Sequence, residues 1–418
     1  MGLINKLFRG DRSTWIIYMF LCLISLVEVF SATSTLAYKN VHFWDPIVKH
    51  ATFLLMGFAA VLILCNIPKN YFTIVIFLLI LLFPLSIVLL AITPFLGVSI
   101  NESYRWFEFM GIQFQPSEIA KMACIVFVAY MLDMQNRVSP HTVFWIILTG
   151  VGLTCALIFP ENFSTAVLLF VVCFLMMFVG QAPLKKMIMT LVVLGLTFGI
   201  MFVFFRSISD DVAKKNLPAI LVKAKGRIDD FGKDKHENKY TITDENFQVS
   251  HAKIAIARGG IIGQLPGRSI QRDYLPQAYS DFIYAIIIEE MGLLGGFFVL
   301  MLYIILMFRV AIIARRCKKL FPKYLALGCG LLIVIQAFIN MAVAVNLIPV
   351  TGQPLPLISR GGTSTMITCL YFGIILSVSR FGAGMDGDDD MMEAVAAEEI
   401  EDVEADLLGE DDEMVVQE

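Results

Sequence analysis

Ten separate runs of about twenty apolar residues limit what this chain can fold into. They lie near 14–37, 47–67, 70–95, 116–134, 141–159, 162–180, 185–206, 281–308, 321–347 and 361–380. Inside a bilayer every backbone N–H and C=O must be paired within the protein, and a spanning helix takes roughly 20 residues. The repeated length predicts an all-α integral membrane protein of about ten transmembrane helices. Composition agrees: 58% of the 418 residues are apolar and 16% charged, with a mean hydropathy of +0.76. A soluble chain has about 45–50% and about 25%. Lys6, Arg9 and Arg12 precede the first run and no small-residue cleavage site follows it, so the run reads as a retained span.

Lys and Arg in the short connections set the orientation. Residues 1–13, Lys185 and Lys186, and Arg309, Arg315, Arg316, Lys318, Lys319 and Lys323 alternate onto one side. Both termini are therefore expected in the cytoplasm, with segments 38–46, 96–115, 207–280 and 348–360 outside. Residues 14–380 form one membrane domain. The loop 207–280 is far longer than an ordinary connection, as functional or disordered loops are. Its stretch 218–225 is amphipathic and suits a headgroup surface.

The formal charge of −4 hides two opposite parts. From Asp386 to Glu418 there are 16 acids and no base, which leaves 20 acids against 32 bases in the rest. Residues 381–418 read as a disordered, acidic cytoplasmic tail, either solubilising or a docking site for a basic partner. No nucleic-acid partner is expected. Cys22, Cys65, Cys124, Cys155, Cys173, Cys317, Cys329 and Cys369 lie in apolar runs or beside a basic loop, as packing residues rather than a disulfide or zinc set. His42, His50, His141, His236 and His251 lack metal-ligand spacing.

Charges inside the runs need a reason, since one at mid-span costs about 2.5–3.5 kcal/mol on insertion scales. Glu118 and Lys121 are three apart on one helical face and close enough to pair. They are either a self-neutralising packing pair or a cavity wall that meets a charged substrate. The eighth run opens with Ser280 and Asp281 and then carries Glu289 and Glu290. Asp281 falls where a helix cap or first-turn acid belongs. A wet outer carboxylate beside a Pro-containing loop also suits general-base work. Glu289 should lie some 12 Å deeper on the same helix.

Arg105 and Trp106 are either interfacial anchors or, for the arginine, a diphosphate binder. Arg258, Gly267, Arg268 and Ser269 combine cationic side chains with backbone freedom, loosely what a phosphate site wants. Residues 347–364 hold three prolines and three glycines between apolar helices and cannot form a regular helix. They are expected to line a cavity or to serve as a tight connector.

Several segments together resemble the SEDS family (shape, elongation, division and sporulation proteins). Arg105 and Trp106, then Gln115, Pro116, Ser117, Glu118 and Lys121, are similar to its RW…QPSE..K segment. Pro160, Glu161 and Thr165 resemble its P-D-x-G-T segment. Gln248, Ser250, Ala255, Gly259, Gly260, Gly263, Gly267 and Ser269 follow its loop pattern. Leu275, Pro276, Ser280, Asp281, Phe282, Glu289, Glu290 and Gly292 resemble LPE..TDF…EE.G. Pro349, Gly352, Leu355, Pro356, Ser359, Gly361, Gly362 and Ser364 resemble the closing LP..S.GG.S. Arg360 stands where Tyr is usual, Glu161 for Asp, and Ser280 for Thr. The phrase 355–359 leans to the division branch and 349–352 to the elongation branch; the division branch is preferred.

The resemblance implies an inverting peptidoglycan glycosyltransferase that polymerises lipid II at the outer face of the bacterial inner membrane, at the division septum. Asp281 would be its general base. Arg105, Arg258, Arg268, Arg360 or a bound divalent cation (Mg or Mn) would stabilise the diphosphate. The metal itself is unknown. Substrate contacts would come from Arg105, Trp106, Gln115, Ser117, Glu118, Lys121, Thr165, Gln248, Arg258, Gly267, Arg268, Ser269, Pro276, Ser280, Glu289, Pro356, Ser359, Arg360, Gly361 and Gly362. Implied partners are a class B penicillin-binding transpeptidase, other divisome membrane proteins and membrane lipids. A lipid II flippase, with Glu118, Lys121 and Glu289 as coupling charges, and a division scaffold without chemistry are the alternatives.

Overall fold

The computed structural model of the chain describes residues 7–32, 45–100, 103–109, 112–207, 242–243, 246–275 and 278–382. The acidic tail, the stretch 218–225, His42, His236 and Pro276 lie outside these residues, and the side chain of Arg105 is likewise not described.

Each of the ten apolar runs contains one long helix: α1 (Arg12–Ala32), α2 (Asp45–Asn66), α3 (Lys69–Leu96), α4 (Pro116–Asp133), α5 (Pro140–Ile158), α6 (Phe163–Val179), α7 (Leu184–Ser207), α9 (Ile283–Arg316), α10 (Leu320–Ala344) and α11 (Thr363–Gly382). The long loop adds α8 (Phe247–Gly259). Among the described residues, six helices are long and apolar enough to cross a membrane by those criteria alone. α4 misses them because it carries Glu118, Lys121 and Asp133. α10 is central, packing on α4, α6, α9 and α11. All eight cysteines are free thiols, five of them buried, and both Cys124 and Cys173 are in the core.

Three departures from the sequence reading matter for the site. Segment 96–115 forms a small antiparallel sheet of β1 (Val98–Ile100), β2 (Ser103–Phe109) and β3 (Ile112–Phe114). The aromatic residues Tyr104, Trp106, Phe107 and Phe109 favour this extended backbone. Asp281 is not in the first turn of its helix, which starts at Ile283. α9 is broken at Gly292, where φ is 72° and ψ is −178°, so residues 283–291 form a short arm rather than the top of a straight span.

Gly292 is needed because an L side chain disfavours that φ and a Cβ would strike the Ile261 carbonyl. The break frees peptide groups that a membrane protein must re-satisfy, and the chain after α8 does so. Leu293 N donates to Gly260 O (2.9 Å), Leu294 N to Ile261 O (3.3 Å), Gln264 N to Glu289 O (3.0 Å) and Leu265 N to Glu290 O (2.9 Å). At the opposite end of the bundle, Arg309 pairs with Asp11. There the buried Arg380 donates to Cys65 O (2.9 Å) and Ile67 O (2.7 Å) at the end of α2.

Candidate active site

Residues 346–362 run without regular helix between α10 and α11, and Leu355, Leu357, Ile358 and Ser359 are all buried. The backbone of this segment is stitched to the turn that carries Asp281. Ser359 Oγ accepts from Leu355 N (2.8 Å) and donates to Ser280 O (2.7 Å). Arg360 N donates to Tyr279 O (3.0 Å), and its guanidinium sits 5.5 Å over the Tyr279 ring. Burial pulls the Arg360 pKa below the ordinary arginine value, and Tyr279 opposes the shift. An arginine guanidinium remains protonated in proteins.

Asp281 is half-buried. Ser280 Oγ donates to its Oδ1 at 2.9 Å. Its Oδ2 lies over Gly352, where a Cβ would come within 3.6 Å. Phe282, not Asp281, occupies the cap position of α9 and makes no side-chain capping bond.

A second polar layer lies beneath. Lys121 Nζ meets Glu118 Oε1 at 2.7 Å, both side chains being almost fully buried. Lys121 also donates to Gln336 Oε1 (3.3 Å), and Gln336 Nε2 donates to Pro354 O (3.0 Å). Gln353 Nε2 donates to Thr165 Oγ1 (2.7 Å), while Asn162 caps α6 by accepting from Thr165 N (3.3 Å). Asn340 Nδ2 donates to both Asp281 O and Gln353 O. Glu118, Lys121 and Thr165 are thus joined to Asp281 through the loop 351–354 and two amides of α10. Ser117 Oγ, Thr351 Oγ1 and Asn340 Oδ1 are buried without a protein partner.

Gln336, Asn340 and Gln353 were absent from the sequence-based set. The available signal was two amides four residues apart inside an apolar run, hence on one face. Several other members of that set lie away from this network, while Pro356, Gly361 and Gly362 belong to the closing loop. Glu289 is fully buried and hydrogen-bonded to the loop at Ser269, Ile270 and Gln271. Arg258 is exposed and pairs with Glu289 at 3.6 Å, and Arg268 is exposed in the loop with Gly267. Gln248 is half-buried on α8, Trp106 lies in β2, and Gln115 directly precedes α4. Pro356 O accepts from Tyr303 Oη (2.5 Å). Gly361 and Gly362 lead into α11. Among the described residues, no three His, Cys, Asp or Glu side chains converge to hold a metal ion.

The family model described as cell cycle protein, covering FtsW, RodA and SpoVE, matches residues 11–383. The chain belongs to this family. It is 32% identical to the probable peptidoglycan glycosyltransferase FtsW of Haemophilus influenzae, over 88% of this chain and 90% of that one. The Geobacter metallireducens protein of the same name is 31% identical, over 90% and 96%. The fold is also similar to a chain of a peptidoglycan synthase complex (TM-score 0.67, 20% identity, 89% of this chain and 98% of that one). The Thermus thermophilus rod shape determining protein RodA aligns with a TM-score of 0.61 at 20% identity, over 89% and 97%. The SEDS resemblance of the five ordered segments and the family match over residues 11–383 therefore agree.

Proposed function

We propose that this membrane protein is a peptidoglycan glycosyltransferase that polymerises lipid II, with Asp281 as general base. The observation that carries the assignment is the half-buried Asp281 carboxylate, oriented by Ser280 and lying over the side-chain-free Gly352. An acceptor sugar hydroxyl brought to that carboxylate loses its proton as the oxygen attacks the anomeric carbon of the lipid-linked donor. The bond to the diphosphate breaks on the opposite face, and the configuration inverts. Arg360, cationic and next to the Asp281 turn, is the best-placed described guanidinium for the departing negative charge. Arg105, Arg258 and Arg268 are the further candidates for the diphosphate.

The chain works in the bacterial inner membrane with both termini in the cytoplasm, at the septum with a class B transpeptidase and other divisome proteins. Relatives named FtsW, and a structural neighbour from a complex of polymerization and crosslinking, support this reading. The decisive experiment uses purified protein, its transpeptidase partner and lipid II. Wild type makes glycan chains, and Asp281→Asn makes none while expression and partner binding persist. Polymer formed by the variant at the wild-type rate would rule Asp281 out as the base.

A further inference from the structure

Two neighbouring carboxylates on the short arm of α9 look inward and are fully occupied. Glu289 and Glu290 are buried, at 0% and 1% exposure. Successive helical residues project about 100° apart, so the pair reaches two successive stretches of one loop. Glu289 Oε1 accepts from Ile270 N (3.1 Å), and its Oε2 accepts from Ser269 Oγ (2.5 Å) and Gln271 N (3.3 Å). Glu290 Oε2 accepts from Gly267 N (3.0 Å), and its Oε1 from Ser269 N (3.3 Å) and from Ser31 Oγ of α1. Arg272 closes the junction, its Nη1 donating to Ser31 O (3.2 Å) and Ser31 Oγ (3.0 Å).

The four carboxylate oxygens are therefore taken up by the loop and by Ser31 of α1, and Glu289 Oε1 also lies 3.6 Å from Arg258 Nε of α8. Charge-assisted bonds of this kind are roughly twice as strong as neutral ones. Backbone bonds next to the junction link residues 270–275, and Ala278 N reaches back to Leu275 O. Asp273 N donates to Ile270 O, and Tyr274 N and Leu275 N to Gln271 O. Gln271 is held from its other end, where its Oε1 meets His251 Nδ1 of α8 at 2.7 Å. A displacement of residues 267–271 would thus be passed through these bonds toward the segment bearing Asp281.

We propose that Glu289 and Glu290 are positioning residues for glycan polymerisation, with Ser31 tying the first span into the same junction. They fix residues 267–272 so that the Asp281 turn has one register against the closing loop. The proposal rests on the transferase reading above.

The test uses the full chain with its transpeptidase partner in lipid nanodiscs, comparing wild type, Glu289→Gln, Glu290→Gln, Glu290→Asp and Ser31→Ala. Amide hydrogen exchange across 264–282 is measured together with kcat and KM for lipid II. Exchange at Gly267, Ser269, Ile270 and Gln271 should quicken about tenfold or more in the Gln variants, the equivalent of about 1.4 kcal/mol. Their kcat should fall by a similar factor while KM changes little, and Glu290→Asp should recover part of the loss. Ser31→Ala, which removes one donor without a buried charge change, covers the case in which a Gln variant fails to fold. Unchanged exchange and kcat would overturn the proposal. So would a raised KM with a fully protected loop, which would make the carboxylates substrate contacts. A wild type that makes no glycan from lipid II would overturn the transferase reading, and the exchange data would then still report on the junction separately.

Discussion

Asn340 Nδ2 of α10 donates to two backbone carbonyls at once, Asp281 O at 3.0 Å and Gln353 O at 2.8 Å. One amide thereby ties the segment carrying the candidate base to the loop it faces. Asn340→Leu should leave both carbonyls short of a buried donor, at about 1–3 kcal/mol each for groups left unsatisfied. Initial rates of glycan synthesis should drop ~10- to 100-fold, whereas a wild-type rate would show that Asp281 needs no such tie.

Lys121 and Glu118 form a buried pair. Removing one partner of such a pair typically costs about 3–5 kcal/mol, while replacing both can be nearly neutral. Lys121→Met should therefore lower the midpoint of heat inactivation in detergent sharply. Glu118→Gln/Lys121→Met should recover most of it. Equal losses in the single and double variants would contradict the pairing.

Gly292→Ala should be strongly destabilising, because its φ of 72° and the adjacent Ile261 carbonyl leave no room for a Cβ. A strained backbone of this type costs on the order of 1–3 kcal/mol before the clash is counted. Gly195→Ala in α7, where a Cβ meets open space, is the control and should not lower stability. Thermal inactivation of the two variants in parallel separates a local clash from a general intolerance of alanine.

Asp11 provides a pH test outside the spanning helices. Burial raises its pKa, but hydrogen bonds from Arg309 and Thr14 outweigh that and hold it below the ordinary carboxylate value. A depressed folded-state pKa gives stability that is present above the unfolded value, near 3.9, and is lost as pH falls through the folded one. Acidification below about pH 4 should loosen the Asp11–Arg309 contact in wild type. Asp11→Asn should lack that step in an acid-inactivation profile, and an identical profile would refute the assignment.

Glu28 is fully buried on α1, near Glu290, with neither carboxylate oxygen hydrogen-bonded. Glu28→Leu removes both unsatisfied oxygens and should stabilise the protein by about 1–3 kcal/mol. The midpoint of heat inactivation should rise, and a fall would mean that the carboxylate itself is required.

The spans were legible because one physical rule, internal pairing of the backbone in hydrocarbon, writes a twenty-residue apolar run for each helix. The Glu118–Lys121 pair was legible for a similar local reason, since spacing of three fixes a common helical face. What the chain does with Glu289 was not legible. Its depth could be reckoned along an ideal helix, but the break at Gly292 and the returning loop decide which way it points. Both depend on contacts between residues some 30 apart. Gln336 and Asn340 carry little signal in the sequence because an uncharged amide barely disturbs an apolar run, and their value appears only when the closing loop lies against them. Asp281 drew attention as a possible cap, a role that the start of α9 at Ile283 assigns to its neighbour.

The interruption of α9 also bears on how the protein is made. The peptide groups around Gly292 take partners from residues 260–265, and those residues leave the ribosome before α9 does. The arm therefore emerges next to a strip of chain already able to receive it, and its exposed amides need not wait for distant helices. Shortening or replacing that strip would leave a later helix without its backbone partners, so an error there would first show as failed membrane insertion rather than as a weakened active site.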